Sequence, residues 1–358
     1  MKLSDLGWNG FFEEQFRRWS GSGLVPGRVV GEAGYIYEVE TETGRCSAQV
    51  SGHFQYIAAG RADYPAVGDW VLLRGESDLL IIERVLDRSS LFSRLAAGKR
   101  FDEQVIASNI DIMFIVASLD GGRNFTQRGI ERYIVMVSDG GAKPVIILNK
   151  CDLCSESERT DFITTARAVA GDIPVLMVSA KTGEGMELVR ELLEQGVTAA
   201  FTGPSGAGKS ALINNLLERD VQRTGALRED DKRGRHTTTR RELFPLGNCS
   251  MVIDTPGLRE LRPFGDTESL DAAFTEIAEA AEECRFSDCS HTDEPGCAVL
   301  QLVSEGEIEY ARYQNYITIR NEMMSLEMMK SEKGRLERKA RDKALSKLVK
   351  NYLKNHEK

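Results

Sequence analysis

Nowhere in its 358 residues does this chain approach the roughly 20 consecutive apolar residues that a membrane-spanning helix needs. Glu13, Glu14, Arg17 and Arg18 follow closely on Phe11 and Phe12, so the N-terminus lacks the apolar core of a secretion signal. A cytoplasmic protein with no membrane partner is expected. No internal repeat and no low-complexity tract occurs, which sets aside solenoids and linker-like chains. The seven cysteines cannot pair evenly, and nothing else suggests an oxidising compartment, so a disulfide framework is set aside too.

What is present describes an ordinary folded protein, 41% hydrophobic and 28% charged, long enough for two or three domains with separate cores. The net charge of −9 is unevenly spread. Residues 330–358 hold eleven Lys or Arg against four Asp or Glu, a basic tail on an acidic body. Such a tail suits a polyanionic partner, because each phosphate it neutralises releases a counterion; a solvated helix face is the blander reading. In the tail, Leu345, Leu348, Val349, Tyr352 and Leu353 keep helical i, i+3, i+4 spacing.

Four segments are expected. Residues 1–22 read as a loosely attached arm. Residues 23–90 carry about five short strands punctuated by Gly and Pro, which fits a small closed barrel such as an OB-fold. Tyr35, Tyr37 and Val39 alternate onto one face there. No dense basic and aromatic patch marks this segment, so RNA binding and a structural or docking role both stay open. Residues 91–265 alternate buried strands (112–117, 145–148, 175–178, 198–201) with helices (127–138, 155–170, 187–193), which predicts a parallel sheet with right-handed crossovers. Residues 266–358 read as mostly helical, starting with a helix over 271–283, around a cysteine cluster. The expected fold class is therefore a β-barrel, an α/β nucleotide-binding domain and an α-helical metal module, in a monomer.

The chemistry lies at the ends of the predicted sheet strands, where open parallel sheets bind their ligands. Gly203-Pro204-Ser205-Gly206-Ala207-Gly208-Lys209-Ser210 follows one strand and opens the helix that begins near Ala211. Glycines let backbone N–H groups wrap phosphate oxygens, Lys209 is placed to reach the outer phosphates, and Ser210 to ligate Mg²⁺. Asn149-Lys150-Cys151-Asp152 and Ser179-Ala180-Lys181 end two other strands. A carboxylate at Asp152 can accept from the ring N–H and exocyclic amine of guanine, whereas adenine presents an acceptor at that edge. Asn149 belongs to the same base-reading motif. Lys150 is expected along the base plane, and the serine motif is expected to bring amides to the guanine oxygen. In Asp254-Thr255-Pro256-Gly257, Asp254 is placed to hold Mg²⁺ through water and Gly257 to sense a γ-phosphate. These residues imply GTP or GDP with Mg²⁺.

Two points bear on hydrolysis. Leu258 follows Gly257 where many GTPases carry a water-orienting glutamine. The segment Arg233-Gly234-Arg235-His236-Thr237-Thr238-Thr239-Arg240 lies where a first switch belongs. One of its three threonines is expected on Mg²⁺, which one being open, with Thr238 as site candidate. His236 is the candidate for positioning water and Arg235 a weaker one for charge stabilisation, contact with phosphate or RNA being the alternative for both.

Cys284, Cys289, His291 and Cys297 offer three thiolates and an imidazole within fourteen residues, a closed set for one structural Zn²⁺. Cys151 and Cys154 also have redox-like C-x-x-C spacing, but they overlap the base-reading motif and are taken as coincidence.

The base-reading half precedes the phosphate half, the reverse of an ordinary GTPase. This order, with the G-R-H-T-T-T switch, the barrel and the cysteine–histidine cluster, resembles the circularly permuted GTPases, and among them the bacterial GTPases that depend on the small ribosomal subunit. The likeness spans roughly residues 23–300. It implies GTP hydrolysis stimulated by the small ribosomal subunit, a role in its late maturation, and contact with its ribosomal RNA.

Overall fold

The computed structural model describes residues 2–75, 79–95, 103–121, 125–218, 241–254 and 268–329. The first residues are not loose. A short 3₁₀ turn, Leu3–Leu6, and helix α1, Gly10–Arg17, pack against the body, with Leu6 and Phe12 buried. Trp8 meets buried Trp70 edge-on at 4.8 Å, and Phe12 lies 5.8 Å from the same ring. The expected arm is corrected on physical grounds: Trp8, Phe12 and Phe16 carry too much apolar area to remain in water.

Strands β1 (Val25–Ala33), β2 (Ile36–Thr41), β3 (Gly44–Val50), β4 (Trp70–Arg74) and β5 (Leu79–Val85) close in the order β1-β2-β3-β5-β4 and back to β1. Only β3 and β5 run parallel, and helix α2 (Gly52–Ile57) fills the connection from β3 to β4, an OB-like barrel. Val29, Tyr37, Val39, Ala48, Val71, Leu73 and Ile82 fill its interior. Tyr37 and Val39 face inward as their alternation predicts. Tyr35 does not: it sits in the turn before β2, 84% exposed.

A hairpin of β6 (Leu91–Leu95) and β7 (Glu103–Ser108), not expected from the sequence, leads into the central sheet. Its strands are β8 (Ile112–Ser118), β9 (Lys143–Asn149), β10 (Val175–Val178), β11 (Thr198–Thr202), β12 (Glu242–Pro245) and β13 (Met251–Asp254). They lie in the order β10-β9-β8-β11-β13-β12, parallel except for β12. Alternate residues feed two cores. Met113, Ile115, Ile146 and Leu148 face α3 (Gln127–Asp139) and α4 (Glu156–Ala170). Phe114, Val116, Ile147 and Phe201 face α5 (Met186–Glu191) and α6 (Lys209–Leu217). Burial on both faces explains why these strands read as unbroken apolar runs.

Strand β1 also pairs with β12 at Gly31 and Glu242, so barrel and central sheet are hydrogen-bonded into one sheet of eleven strands among the described residues. Buried Arg28 reinforces the junction, donating to the carbonyls of Leu6, Gly68 and Asn109; burial lowers its pKa to about 10.

The C-terminal part holds α7 (Glu268–Ala273), α8 (Thr275–Glu282), α9 (Ala298–Glu305) and a long helix α10 over residues 310–329. The single helix expected over 271–283 is broken at Phe274, whose φ of −129° and ψ of 54° are not helical. The break turns the fully buried Phe274 ring onto Tyr316 of α10 at 5.5 Å. Tertiary packing overrides helix propensity there. Helix α10 also clasps α3: Arg312 donates to buried Glu131 at 2.6 Å and to Glu276, and Asn315 donates to Glu131 at 2.5 Å. The basic tail, with Leu345, Leu348, Val349, Tyr352 and Leu353, lies outside the described residues.

Candidate nucleotide site and metal cluster

Three loops meet at the carboxyl ends of β9, β10 and β11, where parallel strands leave a crevice. From β11 the chain turns through Gly203 (φ 130°) and wraps to Gly208 (φ 96°), which caps α6. Neither glycine can be replaced without a clash. A Cβ on Gly203 would stand 2.2 Å from the Val116 carbonyl, and one on Gly208 would stand 2.2 Å from Asn149 Nδ2. Lys209 and Ser210 open α6, followed by Ala211, so the first-turn amides face the loop. The Lys209 ammonium donates to the carbonyls of Gly203 (2.7 Å) and Pro204 (2.6 Å). Ser205 and Gly206 are exposed at the loop's tip, and Ala207 is buried.

Asn149, 2% exposed at the end of β9, is the crosspiece. Its Nδ2 donates to Ala207 O at 2.8 Å, and its Oδ1 accepts from Ala180 N at 3.1 Å. One N–H and the oxygen of the amide thus join the phosphate loop to the serine loop, and the second N–H of Nδ2 is left for a further acceptor. Lys150 adopts a left-handed backbone (φ 69°) and starts a 3₁₀ turn, Cys151–Leu153, that presents Asp152. Asp152 Oδ1 accepts from buried Ser179 Oγ at 2.7 Å, which also takes the Thr182 amide at 3.1 Å. Ala180 is half-buried behind this turn and Lys181 is exposed. Asp254 ends β13 one residue beyond the Ala200–Ile253 pair, beside the strand that feeds the phosphate loop.

Several supports were not found in the sequence. Lys150 Nζ donates to Asp120 Oδ2 (2.5 Å) and to Gly206 O (2.7 Å), and Ser118 Oγ donates to Asp120 Oδ1 (2.8 Å). The bond from Lys150 holds the Asp120 carboxyl below its usual range. Arg159 of α4 donates to Cys151 O (3.1 Å) and Glu184 (2.7 Å), tying the two base-side loops together. Asp120 sits two residues past a buried strand, and the strand-end rule used for the other motifs would have flagged it. Arg159 leaves no such signal. Cys151 is buried, which pushes its thiol up to about 11, and Cys154 donates to Leu119 O at 3.3 Å. His236, Thr238 and Gly257, with Arg235 and Leu258, lie outside the described residues.

Far along the chain, Cys284, Cys289, His291 and Cys297 bring their ligand atoms within 4.8 Å of one another. A tetrahedral ion with thiolate bonds of about 2.3 Å and an imidazole bond of about 2.0 Å sets sulfur–sulfur edges of about 3.8 Å and sulfur–nitrogen edges of about 3.6 Å. Cys284 Sγ and Cys297 Sγ stand 3.8 Å apart, and His291 Nδ1 lies 3.6 and 3.5 Å from them. The donor set fits a metal ion. Burial disfavours the Cys284 thiolate, but the amides of Val299 and Ala298 at the start of α9 bring its pKa below the ordinary thiol value. Helix α10 secures the cluster, with Tyr313 OH donating to His291 O at 2.7 Å and Arg320 donating to Ser290 O.

Comparison with known proteins agrees with this architecture. A family model described as RsgA GTPase matches residues 85–263. The small ribosomal subunit biogenesis GTPase RsgA 2 of Lactiplantibacillus plantarum is 43% identical, over 92% of this chain and 92% of its own. The protein named RsgA from Methanosarcina acetivorans is 40% identical, over 97% and 92%. Among solved structures, YjeQ from Thermotoga maritima superposes with a TM-score of 0.63 at 28% identity, covering 84% of this chain and 99% of that one. YloQ, a circularly permuted GTPase, shares the fold with a TM-score of 0.60 at 22% identity, over 84% and 96%. With β9 and β10 preceding the phosphate-loop strand β11 in the chain yet lying beside it across β8 in one parallel sheet, this protein is a circularly permuted GTPase and belongs to the RsgA GTPase family.

Proposed function

We propose that this GTPase binds GTP with Mg²⁺ in the crevice between Asp152 and Lys209, hydrolyses it when docked on the small ribosomal subunit, and acts in late maturation of that subunit. The observation that carries the reading is the Asn149 crosspiece, which joins the base-side and phosphate-side loops into one pocket. The names of the relatives support the choice of subunit. In this reading Asp152 accepts from guanine, and the amides of the serine motif approach the base oxygen. The phosphate-loop amides and Lys209 hold the phosphates, while Ser210, Asp254 and Thr238 serve Mg²⁺. His236 positions the attacking water and Gly257 contacts the γ-phosphate.

Leu258 cannot orient water, so turnover by the isolated chain is slow and the partner supplies the acceleration. The four-residue cluster holds one structural Zn²⁺, whose bonds to thiolate and imidazole close the loop between α8 and α9. The basic tail meets ribosomal RNA, and the protein works as a cytoplasmic monomer. The test is multiple-turnover GTP hydrolysis with and without purified small subunits. Strong stimulation by small but not large subunits is expected. Tight GTP binding without stimulation would instead favour a nucleotide-sensing RNA-binding adaptor, the reading that Leu258 itself invites.

A further inference from the structure

The site holds one buttressed charge pair that the proposed chemistry leaves unused. Lys150 follows Asn149 in a left-handed conformation, and its side chain runs back across the phosphate loop. A Cβ built on Gly208 would lie 3.9 Å from Lys150 Cε, so the lysine stem passes directly over the glycine that caps α6. The ammonium group ends between two acceptors of different origin. Gly206 O belongs to the phosphate loop, at 2.7 Å, and Asp120 Oδ2 stands just past the end of β8, at 2.5 Å. Asp120 is itself fixed, because its second oxygen accepts from Ser118 Oγ at 2.8 Å. Both members of the pair are about 30% exposed, with side-chain values of 29% for Lys150 and 31% for Asp120, so solvent screens the bond only in part.

We propose that Asp120 is a positioning residue for bound guanine nucleotide: by clamping the Lys150 ammonium against the phosphate loop, it holds the lysine stem as a flat apolar wall for the purine. The inference rests on the guanine reading of the site. Four methylenes on a free lysine sample many rotamers, and ordering them against a base costs entropy each time nucleotide binds. A carboxylate that captures the ammonium beforehand removes most of that cost, so the wall stands before the base arrives. The same bond satisfies the lysine charge, which keeps it from swinging toward the phosphates and leaves them to Lys209. Ser118 belongs to the device because it fixes the carboxylate's rotation. Asp120 touches neither the guanine edge nor the phosphates, so it acts on residence and affinity, not on base choice.

The experiment measures release of a fluorescent GDP by stopped flow, with GDP and IDP affinities by competition, for the full chain and four variants: Asp120→Ala, Asp120→Asn, Lys150→Ala, and the double Asp120→Ala/Lys150→Ala. Asp120→Ala is expected to speed release about tenfold, the scale of one charge-assisted hydrogen bond. Asp120→Asn, which still offers a carbonyl oxygen, falls between it and wild type. The double variant releases no faster than Lys150→Ala alone, since the two residues form one unit. The ratio of GDP to IDP affinity stays at the wild-type value in both Asp120 variants. Wild-type release from Asp120→Ala, slower release, or effects of the two single changes that multiply in the double variant would each overturn the proposal. Should Asp120→Ala not fold, Asp120→Asn against wild type decides it alone, with unchanged release as the refuting result. A wild-type chain that bound no GDP would sink the guanine reading; normal wild-type binding with unaltered variants would sink Asp120 only.

Discussion

Replacing Asn149 by alanine tests whether the two halves of the pocket are held together by that side chain. The amide is 2% exposed and joins Ala207 O (2.8 Å) to Ala180 N (3.1 Å). Truncation strands an acceptor on a fully buried residue and a donor on a half-buried one. A buried polar group that loses its partner costs about 1–3 kcal/mol, and the Ala180 amide can recover part of its loss from water, so about 2–4 kcal/mol is expected. If about 2 kcal/mol of this appears in binding, GDP affinity falls about 30-fold. Asn149→Asp is the sharper variant: it keeps an oxygen for Ala180 N but sets a carboxylate against the Ala207 carbonyl, so it binds no better than alanine. Urea denaturation of the nucleotide-free chain and GDP titration measure the two terms. Because the exocyclic amine that separates GDP from IDP is assigned to Asp152 in the proposed pocket, the preference for GDP over IDP survives the loss of Asn149. Unchanged affinity in Asn149→Ala, or a collapse of that preference, would refute the crosspiece account.

His236→Ala is expected to lower subunit-stimulated GTP turnover by about 10²-fold or more while GDP affinity holds; equal losses in both would make His236 a binding residue. Arg312→Ala leaves the Glu131 carboxylate buried with Asn315 as its remaining partner from α10, and about 3 kcal/mol of stability should go with it, measured by denaturant unfolding. A loss below about 1 kcal/mol would mean the α3–α10 clasp is incidental. Bonds from the Ser290 side chain and amide, and from the amides of Glu294 itself and Thr292, hold the Glu294 carboxyl well below its usual range. Its contribution is therefore full above the unfolded Glu value, about 4.3, and is lost as pH falls through the depressed folded value. Glu294→Gln at pH 7 should reproduce that loss as faster hydrogen exchange at the Thr292 and Asp293 amides, with the metal content of the chain unchanged; unaltered exchange would contradict the cap.

The features legible in the sequence are those set by local pattern. The sequence predicts strand β10 over Val175–Val178, where it lies, because its apolar run ends at the motif serine. The phosphate loop and cysteine cluster were readable because their chemistry demands fixed spacings of glycine, lysine, cysteine and histidine. What escaped was decided by distant partners. Helix 271–283 breaks at Phe274 because Tyr316, more than forty residues on, offers its ring a buried seat. The N-terminal residues look like a polar and aromatic arm until Trp70 is placed beneath Trp8 and Phe12. Strand β12 is four residues long, and the Gly31–Glu242 pairing that joins barrel to sheet has no local signature. Asn149 shows the same division within the site. Its motif is plain in the sequence, but its work as a brace depends on Ala207 and Ala180, which only the fold brings to it.

Calorimetric titration of the full chain with GDP and with ADP, both in Mg²⁺, tests the central claim most directly, because in the proposed pocket Asp152 meets a donor edge on guanine and an acceptor edge on adenine. GDP should bind at least about 10³-fold more tightly than ADP, the scale of a site that leaves a buried acceptor unpaired with the wrong ligand. Equal affinities, or no heat from either nucleotide, would contradict the guanine pocket and everything built on it.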